Sequence, residues 1–329
     1  MSVYSSLMNG ESKLCVIGLG YVGLPLAVEF SKYINVIGYD IDLKKIQKYK
    51  EQINNKKLYF TNDDTEIAEA KFHIVTVPTP VYDNNAPDFS FLVDASQRVG
   101  RYLKKGAIVV YESTVYPGIT ENLLIPILEK ESQMRCGIDF FVGYSPERIN
   151  PGDDRYHVSN IAKIVSAIDD YTLEEVRKVY EIIIKENVYL ASNIKVAEAV
   201  KLSENVQRDV NIALLNEMSK IYHKLGIDSK EVIDAMNTKW NALGFYPGLV
   251  GGHCIGIDSY YYMNLAKKIK ESSQIVEVSR SVNESIPDYI VKNTIKKLIQ
   301  ENVNIKSVNI LIMGITFKEN CNDVRNSKV

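Results

Sequence analysis

From Lys13 onward, short β-branched apolar runs alternate with amphipathic stretches. The runs fall at 14–17, 36–39, 72–77, 107–111, 140–142, 162–165 and 188–190. Runs of this kind predict buried parallel strands with helices packed on both faces. A doubly wound α/β domain of the Rossmann type over residues 13–195 follows, behind an N-terminal tail of residues 1–12. The texture then changes. Residues 193–225 hold no Pro or Gly, and Val196, Val200, Val206, Val210, Leu214, Met218 and Ile221 recur at helical spacing. Gly226 supplies the stop. At 1.5 Å per residue this one helix is ~45 Å long. Further helices are predicted from near Asp228 and over 275–300, which makes residues 196–304 an α-helical central domain. A last strand pattern at 308–314 marks residues 305–329 as the start of a second Rossmann-like domain, the rest of which is expected to be missing.

A length of 329 residues is more than one core usually holds, which agrees with this division. Charge excludes one class of function. Lys plus Arg is 39 and Asp plus Glu 41, without the cationic excess that sequence-independent nucleic-acid binding needs. No apolar run approaches ~18 residues, so no membrane span is expected. The first ten residues lack a basic segment followed by an apolar block, so no secretory leader is read. The cysteines, Cys15, Cys136, Cys254 and Cys321, lie far apart with no CxxC pair. Neither a disulfide framework nor a metal site is expected, and a cytoplasmic location is.

Gly18-Leu19-Gly20-Tyr21-Val22-Gly23 is a GxGxxG sequence that directly follows one strand run and enters a helical pattern. Glycines there permit a tight turn and close backbone approach, so helix N–H groups can face a pyrophosphate. Asp40 ends the second strand about twenty residues on, where a carboxylate accepts from ribose hydroxyls and repels a 2′-phosphate. The expected cofactor is NAD. Cys254 lies in Gly251-Gly252-His253-Cys254-Ile255-Gly256-Ile257-Asp258, hemmed by glycines that let a ligand approach, unlike Cys15 within an apolar run. His253 is a poor partner for it, because neighbouring side chains diverge. Lys201, Asn205 and Arg208 share one face of the long helix, although a solvated lysine is the plainer reading of Lys201 from pattern alone. Glu147 and the Glu112-Ser113-Thr114 segment end strand runs on the edge where such sheets bind ligands.

Together GLGYVGLP, ESTVYPG, SPERINPGD, KLSEN, GLVGGHCIGID and GITFKEN resemble the UDP-glucose/GDP-mannose dehydrogenase family, in family order and over nearly the whole chain from Lys13. The SPERINPGD and PGLVGGHCIGID forms look most like the branch acting on UDP-N-acetylhexosamines, of the capsule type. The resemblance implies NAD-dependent four-electron oxidation of a sugar C6 hydroxyl to the acid, in capsule or O-antigen precursor synthesis, by a homodimer joined through the long helix. By resemblance Cys254 is the nucleophile, Lys201 with Asn205 steadies oxyanionic character, Glu147 is the base toward water, and Thr114 and Asp258 position that water. Gly18, Gly20, Tyr21, Val22, Gly23, Asp40, Lys45, Thr79, Thr114 and Arg325 match cofactor contacts. Arg148, Ile149, Lys201, Asn205, Arg208, Gly251 and Lys318 match contacts to a UDP-sugar. Ser259 and Asn322 depart from prolines common in relatives, which is expected to loosen local turns. Relatives also run on by roughly another domain, so the short chain is expected to turn over poorly. Three alternatives stay open on sequence: a UDP-glucose 6-dehydrogenase, a two-electron β-hydroxyacid dehydrogenase and a non-catalytic NAD-binding dimer.

Overall fold

The computed structural model describes residues 2–149, 157–252, 255–317, 319 and 323–329. It divides into two compact units, Met1–Leu202 and Ser203–Val329, that part within the long helix rather than just before it.

The first unit is one eight-stranded sheet in the order β3-β2-β1-β4-β5-β6-β7-β8. Its strands are β1 (Lys13–Ile17), β2 (Val36–Tyr39), β3 (Leu58–Thr61), β4 (Ala70–Val75), β5 (Ile108–Tyr111), β6 (Phe141–Tyr144), β7 (Lys163–Ala167) and β8 (Val188–Leu190). The first six are parallel neighbours. β7 turns antiparallel to β6 and then pairs parallel with β8. The sequence reading had only parallel strands and missed β3, whose short LYFT run has Tyr59 facing solvent.

Period-two alternation places Leu14, Val16, Phe72, Ile74, Ile108 and Val110 in one core cluster. There they pack with Leu26 and Phe30 of α2 (Gly23–Phe30) and with Val176, Val179 and Tyr180 of the helix Asp170–Glu181. The opposite face includes Tyr111, whose hydroxyl lies 2.7 Å from Ser96 Oγ on the helix Ser90–Tyr102. With helices on both sides, the fold is doubly wound as expected. Within residues 1–12, Val3–Met8 form α1, capped by Ser2, with Val3 and Leu7 buried. The Tyr4 N–H donates to Glu175 Oε2 at 2.9 Å.

Counted in chain order, the helices after α2 are α3 (Leu43–Gln52), α4 (Ser90–Tyr102), α5 (Ile125–Ser132), α6 (Asp170–Glu181) and α7 (Ile194–Leu225). α7 is the long helix, and Gly226 ends it at φ +70°. The second unit adds α8 (Ser229–Asn237), α9 (Ile255–Lys268), α10 (Gln274–Glu284) and α11 (Ile286–Gln300). Asp228 caps α8 by accepting from Lys230 N at 2.8 Å. The predicted 275–300 helix is two helices, broken at Ser285 because Pro287 starts a new first turn. The expected strand at 308–314 does not form: these residues pair with no strand, and Leu311 and Met313 are more than four-fifths exposed. A strand needs a neighbouring edge for its backbone groups, and the described residues offer none there. Ser259 is no loosened turn either. It is fully buried inside α9 and donates to Asp209 Oδ2 at 2.7 Å. Among the described residues no helix is long and apolar enough to cross a membrane.

Candidate active site

In the first unit the candidate residues gather at the carboxyl ends of β1, β2, β4, β5 and β6. Strand order reverses between β1 and β4, which opens the crevice where such sheets take ligands. The turn after β1 sits in that crevice. Gly18 has φ +93°, a conformation that side chains rarely adopt, and its carbonyl accepts from Thr76 Oγ1 at 2.7 Å. A Cβ on Gly23 would stand 2.0 Å from the Gly18 carbonyl oxygen, so helix and turn touch only because residue 23 has no side chain. At Gly20 a Cβ would meet nothing within 4 Å, leaving the backbone open to a ligand. No acidic residue occupies the first turn of α2, so its positive end stays available to a pyrophosphate.

Asp40 is buried at the end of β2. It accepts from Leu19 N and Asp42 N, both at 2.9 Å, and Lys45 Nζ lies 3.4 Å away. The carboxylate is therefore fastened to the glycine turn itself. Tyr21 and Val22 lie in that turn, Thr79 beyond β4 and Thr114 beyond β5. These residues fit NAD. Arg325 belongs to the second unit, where its guanidinium pairs with Asp323 at 2.6 Å.

Glu147 follows β6 and is buried. Its Oε1 accepts from Arg148 N at 2.7 Å and Ile149 N at 2.6 Å, while Oε2 takes Lys163 Nζ at 3.0 Å. Burial alone would raise this carboxyl; the Lys163 ammonium, a hydrogen bond with the Glu112 carboxyl and the Ile149 peptide N–H outweigh it and hold the acid below its usual range. Lys163 also reaches Glu112 Oε2 at 2.8 Å, and Glu112 accepts from the Tyr180 hydroxyl. Burial, with the Glu147 charge adding to it, pushes Glu112 up to about 7 against the pull of Lys163. Lys201 is buried and donates from Nζ to the Glu147 carbonyl at 2.9 Å, so it is not the solvated lysine of the plainer reading. Arg148 turns its Nη1 onto the Ala162 carbonyl at 2.9 Å, and Ile149 packs against the sheet core.

Sequence reasoning gave Lys163 no part, although a lysine inside the apolar 162–165 run is a signal, since buried lysines are nearly always paired. It also passed over Glu198 on α7. That carboxylate is fully buried and accepts from Gly118 N at 2.6 Å and Thr120 N at 2.9 Å. It ties the segment after Thr114 to the helix that carries Lys201.

In the second unit Asn205 Nδ2 meets the buried Asp258 Oδ2 at 2.5 Å, joining α7 to α9. Asp209 binds Arg280 and Asn283, each at 2.7 Å, besides Ser259. Asn216 holds both backbone groups of Gly248, at 2.8 and 3.0 Å, in the segment that leads toward Cys254. Gly251 is close-packed: a Cβ there would stand 2.4 Å from the Asn326 carbonyl oxygen, which leaves no room for a side chain. Arg208 is exposed. Cys254 and Lys318, like Asn322, lie outside the described residues.

A doubly wound sheet with this turn and this carboxylate defines an NAD-binding dehydrogenase domain, here followed by a helical domain. Residues 12–54 and 47–184 match the NAD binding domain of the UDP-glucose/GDP-mannose dehydrogenase family, and residues 195–285 match its central domain. The chain belongs to that family. It is 46% identical over 331 residues to a UDP-N-acetyl-D-glucosamine 6-dehydrogenase of Salmonella typhi, covering 97% of this chain and 78% of that protein. It is equally similar to protein CapL of Staphylococcus aureus, 46% over 327 residues, covering 96% and 77%. Among solved structures, a UDP-D-ManNAc dehydrogenase from Pyrococcus horikoshii superposes with a TM-score of 0.89 at 32% identity, covering 96% of this chain and 78% of that one.

Proposed function

We propose that this protein oxidises the C6 hydroxyl of a UDP-N-acetylhexosamine to the carboxylate, with NAD, in the making of capsule or O-antigen precursors. The observation that carries the reading is the buried Glu147, its carboxylate on Lys163 and its backbone carbonyl on Lys201, at the carboxyl edge of an NAD-binding sheet. The 46% identity to a UDP-N-acetyl-D-glucosamine 6-dehydrogenase supports the substrate class.

NAD, when bound, accepts one hydride from C6 in each of two oxidations. The hydroxyl proton leaves to water as the first hydride goes; the Lys201 ammonium stabilises the negative charge that develops on the C6 oxygen, and Asn205 adds a neutral donor. The Cys254 thiolate adds to the aldehyde carbon, and the carbonyl pair moves to oxygen, giving a thiohemiacetal. Loss of the second hydride regenerates the C=O bond and leaves a thioester on Cys254. Glu147 then takes a proton from water while the water oxygen attacks the acyl carbon. The C–S bond breaks, thiolate returns, and the acid leaves; Thr114 and Asp258 position that water. Arg148, Ile149, Arg208, Gly251 and Lys318 are assigned to the nucleotide-sugar, where cations pair with phosphate. Exposed Leu214, Ile221 and Leu225 on α7 support a homodimer through that helix, and a cytoplasmic location completes the proposal.

The test incubates the purified protein with NAD and, separately, UDP-N-acetylglucosamine, UDP-N-acetylgalactosamine and UDP-N-acetylmannosamine. Two NADH per sugar oxidised and a uronic acid product are expected from one of them, and Cys254→Ser should lose complete turnover. One NADH per sugar with an accumulating aldehyde would sink the covalent route.

A further inference from the structure

The Glu112–Lys163–Glu147 cluster lies on the protein side of the proposed base, and the mechanism above leaves two of its three members without a task. Lys163 is 5% exposed, Glu112 2% and Glu147 8%, so little water screens them from one another. Its place is fixed from three elements. Glu112 follows β5, Glu147 follows β6, and Lys163 begins β7, the strand that reverses direction against β6. Tyr180 of α6 closes the far side, with its ring centroid 5.2 Å from Lys163 Nζ and its hydroxyl on Glu112.

We propose that Lys163 is a positioning residue for thioester hydrolysis: its ammonium fixes the Glu147 carboxylate in place and in its anionic form, while Glu112 secures the ammonium from behind. The proposal rests on Glu147 being the base toward water.

The geometry divides the labour at Glu147. Oε1 is filled by two peptide N–H donors and Oε2 is drawn to Lys163, so the carboxylate plane is set by three contacts. Those donors favour the anion, which is the only form that can accept a proton from water. Among the described residues, charged and titratable groups face Glu147 from four packed elements. Lys163 faces it from β7, Glu112 from β5 and Tyr180 from α6, Lys201 binds its carbonyl from α7, and Arg148 is turned to Ala162. A buried Lys163 between two carboxylates would be a costly choice for stability alone, because an apolar residue fills a strand position more cheaply. Glu112, pushed up to about 7, can carry a proton near neutrality and so spares Glu147 a second adjacent anion.

The charges give different outcomes for two substitutions. Lys163→Met removes the counter-charge, so the acid limb of the pH–rate profile for hydrolysis should move up by roughly 1–3 pH units. An acyl adduct on Cys254 should then accumulate below that limb. Lys163→Arg should return the limb toward its parent position. Glu112→Gln replaces an acid that is already protonated along that limb with a neutral amide of the same shape, so its limb should stay in place. A purely structural lysine would reduce the amount of active protein without moving the limb in Lys163→Met. Ionisation of Glu147 is also read without turnover, as the infrared carboxyl band that disappears in Glu147→Gln. That band should titrate at higher pH in Lys163→Met than in the parent. If Lys163→Met does not fold, the double variant Lys163→Met/Glu112→Gln serves, since it removes one buried cation and one buried acid together. An infrared titration of Glu147 unchanged by loss of Lys163 would overturn the proposal. A parent protein that oxidises no UDP-N-acetylhexosamine would instead overturn the functional reading and leave the infrared result to decide this one.

Discussion

His73 sits in the middle of the sheet, on β4 between Cys15 of β1 and Val109 of β5, with no exposed surface. Neither ring nitrogen has a hydrogen-bond partner among the described residues. Burial pushes the imidazole from an ordinary 6.5 down to about 4. Between those two values the unfolded chain holds a proton that the folded protein refuses, so acid drives unfolding. The contribution is fully present above pH 6.5 and is lost as pH falls through about 4. At ~1.4 kcal/mol per pH unit over about 2.5 units, the loss is about 3 kcal/mol, a large share of a stability of ~5–15 kcal/mol. The perturbation is His73→Leu, and the assay is urea unfolding of parent and variant at a series of pH values from about 7.5 to about 4. The variant should already be the more stable at neutral pH, because two unpaired buried nitrogens are gone, each of which costs ~1–3 kcal/mol. Its advantage should then widen by about 3 kcal/mol toward pH 4. Subtracting the two curves cancels groups common to both, including Glu112, whose raised pKa acts in the opposite sense. A difference between parent and variant that stays flat with pH would refute the reasoning.

Three further outcomes follow from contacts already described. Asp40→Ala should weaken NAD by roughly 10–150-fold, the worth of a charged hydrogen bond of ~1.5–3 kcal/mol, and narrow the gap to NADP; equal loss for both cofactors in a binding titration would remove Asp40 from ribose recognition. Glu198→Ala strands two buried N–H groups and should cost about 2–6 kcal/mol in urea unfolding, whereas Glu198→Gln keeps one acceptor and should cost about half as much. Variants of equal stability would mean that the Gly118 and Thr120 contacts contribute nothing. Asp209→Ala leaves the buried Arg280 with Glu284 as its remaining acidic partner, and a loss of about 3 kcal/mol is expected; a melting temperature equal to the parent's would contradict it.

What was legible in the sequence depended on how far each signal reaches along the chain. The strand–turn–helix from Lys13 to Phe30 is local, because its glycines, its apolar run and its helix lie within one stretch and fix one another. The long helix was legible for the same reason, since an unbroken period with Gly226 at its end needs no distant partner. The 308–314 run has the β-branched texture of β1 or β5, yet a strand exists only against another edge, and texture does not say whether one is near. β7 shows the same limit in milder form: its apolar run was read correctly as a strand, but its antiparallel direction is set by the chain's route back to β6.

The charged residues that sequence reasoning passed over share a single mark. Lys163, Glu198 and Asp209 each occupy a position that strand or helix periodicity reserves for an apolar side chain, and each is 5% exposed or less. Burying such a group costs several kcal/mol before any partner is counted, so a fold selected only for stability would place valine or leucine there. Each is instead met by at least two hydrogen bonds from parts of the chain distant in sequence. Lys163 ends on Glu147, Glu198 secures the segment after Thr114, and Asp209 anchors α9 just beyond Asp258. The cost of these buried charges thus falls next to residues assigned to the chemistry, where a group displaced by one ångström can cost about a hundredfold in rate.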